Sequence, residues 1–573
     1  MVRKIMANLF PNKPYQKFKK SRIILFSIFI ILFIISFYSI FSKINNNGWK
    51  IFQKNLSNLF SFSNIHPYYN DSIFALSFKF LWITIKYTLA GTFFGTIFAF
   101  FTAIFSSQFI KNKLIKILIW WVIIILKSFP IIFVIDPMRL IFAPKLAAFL
   151  IIFWFSWIWL HRYFHSFLNS LDLTSYKKAV MRGQNWFISF KNEIFPFVVN
   201  KFFGLFLFNF EANIRWTTII SATGVIGIGI LINDGIQNSA LGWKIIGIPL
   251  LILLFFTIIF DFLIIFFNKF ILHKKSVDIR QKNSFILWIK VNYDRILKAF
   301  FIIFLLILII ISLTDIENWS VNTYQVKRFF NSLFVFDWEV FLLGKLDNPL
   351  YMIWHFFCQI IVCLTIIAFI SIFFAIMANE KLNNLPKWLI FKFFLNLFRI
   401  IPSIIIFYLF VSFTVRPILW VTCLVGFKNG ITMAKKLNET LNSLDWEKYQ
   451  LLRLKQWSKK KAIIHYIFPS ISQEYFKYLT IEIANSAHDL LLYGIFGGSM
   501  LGLKISTLSQ TGISGDRGGF FTYSWIAWFL ILIIEVTLAL IEKNYFKNFL
   551  YLNSKFWNIL LKTVRPKFFS RFK

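Results

Sequence analysis

No G-x-x-x-x-G-K-[ST] phosphate loop occurs in this chain; Gly344-Lys345 is followed by Leu346. The backbone cradle that ATP-hydrolysing proteins build for nucleotide phosphates is therefore missing. H-E-x-x-H, clustered acidic metal ligands and a G-x-S-x-G nucleophile elbow are also lacking, so the chain reads as neither an enzyme nor a cofactor carrier. Cysteine is scarce. Cys358, Cys363 and Cys423 lie in apolar stretches, at spacings that fit no zinc or redox motif, and read as small core residues without disulfides. Charge is scarce too, at 15% of residues, and acidic charge most of all, with 24 Asp and Glu against 62 Lys and Arg.

What fills the space is apolar. Of the 573 residues 58% are hydrophobic and 21% aromatic, including 78 Phe. A soluble chain of this length would need a polar surface that such a composition cannot supply, so much of the surface faces lipid. The net charge of +38 raises nucleic-acid binding as an alternative. That use wants basic residues interleaved with exposed aromatics on one soluble face. Here they stand between long apolar runs, the pattern of membrane topology and not of nucleic-acid partnership.

A helix crosses a bilayer core with about 20 apolar residues. Segments of that kind are predicted at 23–41, 80–106, 114–135, 145–165, 197–230 and 243–267, then at 296–314, 350–378, 386–412, 416–434, 470–498 and 521–541. The basic stretches lie at 1–22, 268–295 and 542–573. The segment 314–349 carries Asp315, Glu317, Asp337, Glu339 and Asp347 and reads as external. Six plus six spans put all three basic stretches, and both termini, on the cytoplasmic side of the cell membrane.

Self-comparison shows a repeat. Residues 168–196 align without a gap to 441–469, at an offset of 273, with Leu-Asn-Ser-Leu-Asp (168–172 and 441–445), Tyr176/Tyr449 and Ile-Phe-Pro (194–196 and 467–469) identical. Matching Asn, Ser, Asp and Pro carries weight in a chain where matching Phe or Ile does not. More weakly, Lys127-Ser-Phe-Pro130 matches Arg399-Ile-Ile-Pro402, and Trp82 matches Trp354. The chain thus reads as two six-helix units, 23–267 and 296–541, related by an axis along the membrane normal. Their equivalent loops lie at 166–196 and 439–469.

Within each loop Asp172 or Asp445 is placed to cap a short helix. Gly183 permits the turn that ends the first of these helices, and Pro196 and Pro469 open the next span, where a missing N–H costs little. A basic amphipathic helix could simply rest on anionic headgroups. Its duplication at equivalent positions points instead to docking surfaces for a pair of partners.

The loop resembles the cytoplasmic signature of bacterial ABC importer permeases, Glu-Ala-Ala, three residues, Gly, nine residues, Ile-x-Leu-Pro. Ala179, Gly183, Phe195 and Pro196 fall at its positions. With Lys127-Ser-Phe-Pro130, Phe210-Glu-Ala-Asn-Ile-Arg215 and Ala222-Thr-Gly-Val-Ile-Gly-Ile-Gly229, the first half resembles permeases of the phosphonate-transport type. The fused form is similar to the high-affinity transport system permease of mycoplasmas. The resemblance is strong over roughly 126–230 and thin over 399–500.

It implies an all-α type I importer permease whose loops couple to two separate ATPase subunits, with an extracellular substrate-binding lipoprotein delivering the solute. Asp172, Tyr176, Ala179, Gly183, Pro196, Asp445, Tyr449, Gln456 and Pro469 would form the coupling loops. Two departures stand out. Lys177 and Gln450 replace the motif's Glu, and in the second copy Leu452 and Gln456 replace Ala and Gly. Gln456 leaves open an altered docking geometry or a tolerated, less favourable turn.

Charges inside spans are costly and call for a partner or a wet position. Glu211 and Arg215 are four apart and can pair on one helix face, with Asn213 between them on another. Glu482, Asn485, His488 and Asp489 occupy the corresponding region of the second half. Two readings stay open: a pathway lining that faces an anionic solute, with Arg215 as its contact, or an ion pair that joins two helices. Phosphonate or another phosphorylated compound is the solute that the resemblance implies, with a thiamine-type cofactor as the alternative. A twelve-span secondary transporter independent of ATPases is the rival mechanism. Gly224, Gly227 and Gly229 follow no strand, which excludes a dinucleotide loop and leaves close packing or a bend.

Overall fold

The computed structural model describes residues 20–542 apart from 42, 111, 222–223, 238–241, 267–283, 317–318, 345, 443 and 512–517. The basic tails, most of the expected linker 268–295, Glu317 and part of the Ala222–Gly229 run therefore lie outside the described residues.

Among the described residues eleven helices repeat in the same order twice. The first half holds α1 (Lys20–Ile40), α2 (Gly48–Phe60), α3 (Ile73–Ser106), α4 (Lys113–Lys127), α5 (Ile131–Ile141), α6 (Pro144–Ser170), α7 (Thr174–Met181), α8 (Trp186–Glu193), α9 (Phe195–Ile220), α10 (Ile228–Gln237) and α11 (Trp243–Phe266). The second holds α12 (Ser284–Thr314), α13 (Thr323–Leu333), α14 (Pro349–Met377), α15 (Leu385–Ile400), α16 (Ser403–Phe410), α17 (Ile418–Asn442), α18 (Trp446–Leu454), α19 (Lys459–Ala462), α20 (Phe468–Leu492), α21 (Met500–Thr511) and α22 (Gly518–Glu542). A short π-helical turn, Ile463–Ile467, joins α19 to α20. Twelve helices or bent pairs, six per half, occupy the places where the sequence predicts spans.

Five of these, in α3, α6, α11, α14 and α22, are long and apolar enough to cross a membrane by themselves, and three bent pairs bring the number to eight. Shorter apolar helices lie within α1 and α12. The remaining two, α9 and α17, carry charges. Lys201, Glu211 and Arg215 lie on α9, and Lys428, Lys435, Lys436 and Glu439 on α17. A helix that lines an internal cavity can hold such groups where one that faces lipid cannot.

Three expected spans are not straight. The segment 114–135 breaks before Pro130, where α4 and α5 meet at 81°, and 386–412 breaks before Pro402, where α15 and α16 meet at 91°. Proline removes an N–H from the helix ladder and disfavours the helical conformation of the residue before it. Ile401 is accordingly extended, with φ −61° and ψ 124°. The third bend, 55° between α20 and α21, falls at Gly497, which adopts φ +76°. The expected span 197–230 likewise ends at Ile220 and restarts at Ile228. Gly224 turns there with φ +89°, and a Cβ on Gly229 would stand 2.7 Å from Thr218 Cα.

The halves exchange elements. The first helix of each lies against the other: Ile40 of α1 packs with Cys358, Val362 and Ile418, while Leu305 and Ile309 of α12 pack with Leu81, Leu89, Phe206 and Leu253. Asp315, just past α12, bonds Lys86 at 2.7 Å and Lys145 at 3.5 Å. Burial alone would raise the Asp315 pKa, but the two ammonium groups outweigh it and hold the carboxyl below its ordinary range.

The amphipathic helices α2 and α13, which hydropathy does not pick out, repeat the exchange. Ile44 bridges Thr414 and Val321 bridges Phe142, with Asn45 N donating to Phe413 O at 2.9 Å and Asn322 N to Ile141 O at 2.8 Å. Each half's bent helix is thus clasped by the other half. One large apolar cluster runs through both, from Ile132 and Ile151 to Phe356, Val421 and Leu490.

Candidate transport pathway and coupling loops

Both loops end their short helix in the same way. Gly183 adopts φ +85° and Gln456, its equivalent, φ +61°. The left-handed region costs a side-chain-bearing residue about 1–2 kcal/mol. The lost glycine therefore left the turn in place, at a conformational cost. Gln456→Gly is expected to stabilise the second loop by about 1 kcal/mol. A Cβ on Gly183 meets nothing within 4 Å, so Gly183→Ala costs about the same for backbone reasons alone. Hydrogen exchange of the two loops in the detergent-solubilised protein checks both directions.

The helix starts differ from each other. Asp445 is the N-cap of α18, accepting from Lys448 N at 3.4 Å. Asp172 stands one residue too early to cap α7, whose N-cap is Leu173; its carboxylate instead accepts from Thr174 N at 2.9 Å in an Asx turn. Hydrogen bonds from the Thr174 side chain and backbone hold the Asp172 carboxyl below its ordinary range, and Lys448 does so for Asp445. A depressed carboxyl stabilises above its unfolded pKa and stops doing so as pH falls through the folded one. Exchange protection of α7 and α18, corrected for intrinsic rates, is therefore expected to fall on acidification below the ordinary carboxylate range. Tyr176 and Tyr449 are both buried beneath their loops. Pro196 and Pro469 stand in the first turns of α9 and α20.

Polar side chains brace the ends of the helices that lead into the loops. Ser106 Oγ lies 2.9 Å from His165 Nδ1, and Asn169 Nδ2 lies 2.9 Å from His165 Nε2. At the equivalent positions Asn379 Nδ2 donates to Asn438 and Asn442, at 2.9 Å each. Deeper, Asn213 Nδ2 donates to Ser156 Oγ at 2.9 Å and to Thr92 Oγ1 at 2.8 Å. In the second half Asn429 Nδ2 donates to Ser486 Oγ at 3.3 Å. Ser156 corresponds to Asn429 and Asn213 to Ser486, so the Asn and the Ser have changed sides while the bond persists. Asn213 thus joins α9 to α3 and α6.

Between the halves lies a cavity of about 930 Å³. Phe167, Leu171, Lys201 and Glu439 line it close to the loops, so it reaches the face that carries α7 and α18. Its cations are Lys127, Lys201, Arg215, Arg399, Lys428, Lys435 and Lys436; its carboxylates are Glu439, Glu482 and Asp489. Asn213, Glu482, Asn485 and His488 all belong to the lining. Glu211 pairs with Arg215 at 2.9 Å, as the i, i+4 spacing predicts. Arg215 also donates to Arg399 O of the other half at 2.6 Å. Glu482 bonds Lys436 at 3.0 Å and accepts from Asn485 Nδ2 at 3.1 Å.

Lys428 and Lys436, which composition alone did not single out, serve distinct ends. Lys428 Nζ donates to Phe398 O and Ile401 O, carbonyls next to the break before Pro402. With Arg215 it satisfies backbone groups that lipid could not. The charges inside the expected span 416–434 were the available signal for it. Apart from the cavity lining, the halves also meet where Ser509 on α21 donates to Asp136 on α5.

Residues 371–547 match the family of binding-protein-dependent transport system inner membrane components. The matched stretch runs from within α14 through the second loop, the half in which the motif itself is thinner. The chain is also similar to the ABC transport system permease protein p69 of Mycoplasma genitalium, 24% identical over 91% of this chain and 95% of that protein. Its similarity to the p69 permease of Mycoplasma pneumoniae is alike, 25% identical over 90% and 93%. No solved structure matches. These likenesses and the all-helical, multi-pass fold support a permease subunit of an ABC transporter; the matched family is one of transport components and not of enzymes.

Proposed function

We propose that this chain is the complete membrane pathway of an ABC importer, carrying a small anionic solute through the cavity between its halves. The observation that carries the reading is the cavity itself. It is of a size suited to a small molecule, lined by more cations than carboxylates, and reaches the face where both loops lie. Phosphonate or another phosphorylated compound fits that charge. The aromatic wall of Trp154, Trp159 and Trp216 favours a second solute, a thiamine-type cofactor bearing phosphate.

In this reading the basic tails and α7 and α18 are cytoplasmic, and two ATPase subunits engage the loops. A substrate-binding protein delivers solute to the opposite face. Closure of the ATPase pair moves α7 and α18 together and opens the side held by Asp136 and Ser509. The braces at Ser106–His165–Asn169 and Asn379–Asn438–Asn442 carry that movement into the spans.

Purification from the native membrane should bring an ATPase subunit with the chain, and uptake of radiolabelled phosphonate into proteoliposomes should require that subunit and ATP. Competition by thiamine phosphates distinguishes the two solutes. Transport by the chain alone would overturn the reading.

A further inference from the structure

We infer that α7 and α18 dock on two copies of one and the same ATPase chain, each seating the exposed apolar side chain that the two helices share by position, Met181 or Leu454, in an identical socket. The inference rests on the permease reading above and deepens it.

The two helix ends are copies in their hydrogen bonding. Arg182 N donates to Lys178 O, Gly183 N to Val180 O and Gln184 N to Ala179 O, at 3.1, 3.0 and 3.3 Å. Lys455 N donates to Leu451 O, Gln456 N to Arg453 O and Trp457 N to Leu452 O, at 3.1, 3.0 and 3.2 Å. Donor for donor and acceptor for acceptor, these sets stand 273 positions apart.

Their buried sides agree as well, with Tyr176 and Ala179 under one helix and Tyr449 and Leu452 under the other. On the outer side Met181 is 83% exposed and Leu454 79%. These are equivalent positions, and each is followed by a cation, Arg182 or Lys455. A few residues carry most of an interface's binding, and this is the apolar outer position that both helices keep.

The remaining outer positions have diverged: Thr174 against Glu447, Lys177 against Gln450, Lys178 against Leu451. Had the loops served two different ATPases, the turn and the anchor would have been free to drift with them. Instead the second loop holds Gln456 in the left-handed region, against its own preference. What has been kept is the shape that presents the anchor. One partner surface read twice explains that retention. Its socket is apolar, with an acidic group at the rim to meet Arg182 or Lys455.

Native mass spectrometry of the nucleotide-free complex, purified from membranes of cells expressing the full chain, tests this. The complex is kept nucleotide-free so that ATP cannot join the two ATPase copies to each other. Wild type should carry two copies of a single ATPase chain, Met181→Glu and Leu454→Glu one each, and the double variant none. The double exchange Met181→Leu with Leu454→Met should keep both, which separates a lost anchor from a misfolded loop. Two different ATPase chains, each lost with a different single variant, would overturn the inference, as would a double variant that keeps both copies. A wild-type chain that carries no ATPase at all overturns the permease reading itself.

Discussion

Glu535→Leu alone is expected to destabilise the chain by about 3–5 kcal/mol, the usual consequence of removing one partner of a buried ion pair. Glu535 on α22 bonds Lys127 at the end of α4 at 2.6 Å, with only 6% and 9% of the two side chains exposed. The pair joins opposite halves, just before the break at Pro130. Removing the carboxylate takes away this ion pair of Lys127, and Arg162, which faces the same carboxylate, loses that interaction too. Lys127→Leu added to Glu535→Leu should recover part of the loss and not all, because Arg162 remains. Large chains commonly unfold irreversibly, so a half-life in detergent at fixed temperature is the better readout. The order expected is wild type, double variant, Glu535→Leu. A single variant as long-lived as wild type would show that the pair is solvated and contributes little.

The helical class, the places of the spans and the duplicated loops were legible because each rests on neighbours in sequence. Apolar runs need only length, the Glu211–Arg215 pair needs only a spacing of four, and the turn at Gly183 needs only a glycine after a helix. The features that hold the halves together were not legible. Lys127 and Glu535, Arg215 and Arg399 O, Ile44 and Thr414 meet across hundreds of residues, and no periodicity announces such meetings. The amphipathic helices α2 and α13 escaped because a hydropathy reading seeks long apolar runs. The bends before Pro130 and Pro402 had a visible cause, yet a proline alone does not say whether a span kinks slightly or turns through 81° or 91°.

Gly95→Leu is the second large effect expected, about 3 kcal/mol, at the upper end of what overpacking costs. The interface of α3 with α6 repeats as α14 with α17, but its glycines have changed helix. Gly91 and Gly95 lie on α3 in the first half, and Gly426 and Gly430 lie on α17 in the second. Small residues four apart let helix backbones approach closely in a membrane, whichever helix supplies them. At Gly95 a Cβ would stand 2.5 Å from Ser156 Cβ, 2.8 Å from Phe153 O and 3.0 Å from Trp157 N. Two of those three are backbone atoms, so relief requires α6 to move as a body. At Gly430 the nearest atoms are the Cβ and Cγ2 of Ile370, both at 2.9 Å, and backbone comes no closer than Ile367 Cα at 3.4 Å, so a smaller displacement relieves the contact. Gly95→Ala is therefore expected to cost more than Gly430→Ala in detergent half-life and, under the function proposed above, in ATP-driven uptake as well. The uptake loss follows because α6 leads directly into α7, and the bond from Asn213 to Ser156 lies beside the displaced backbone. If Gly430→Ala proves the more damaging, the packing of α17 against α14 is the less yielding of the two interfaces.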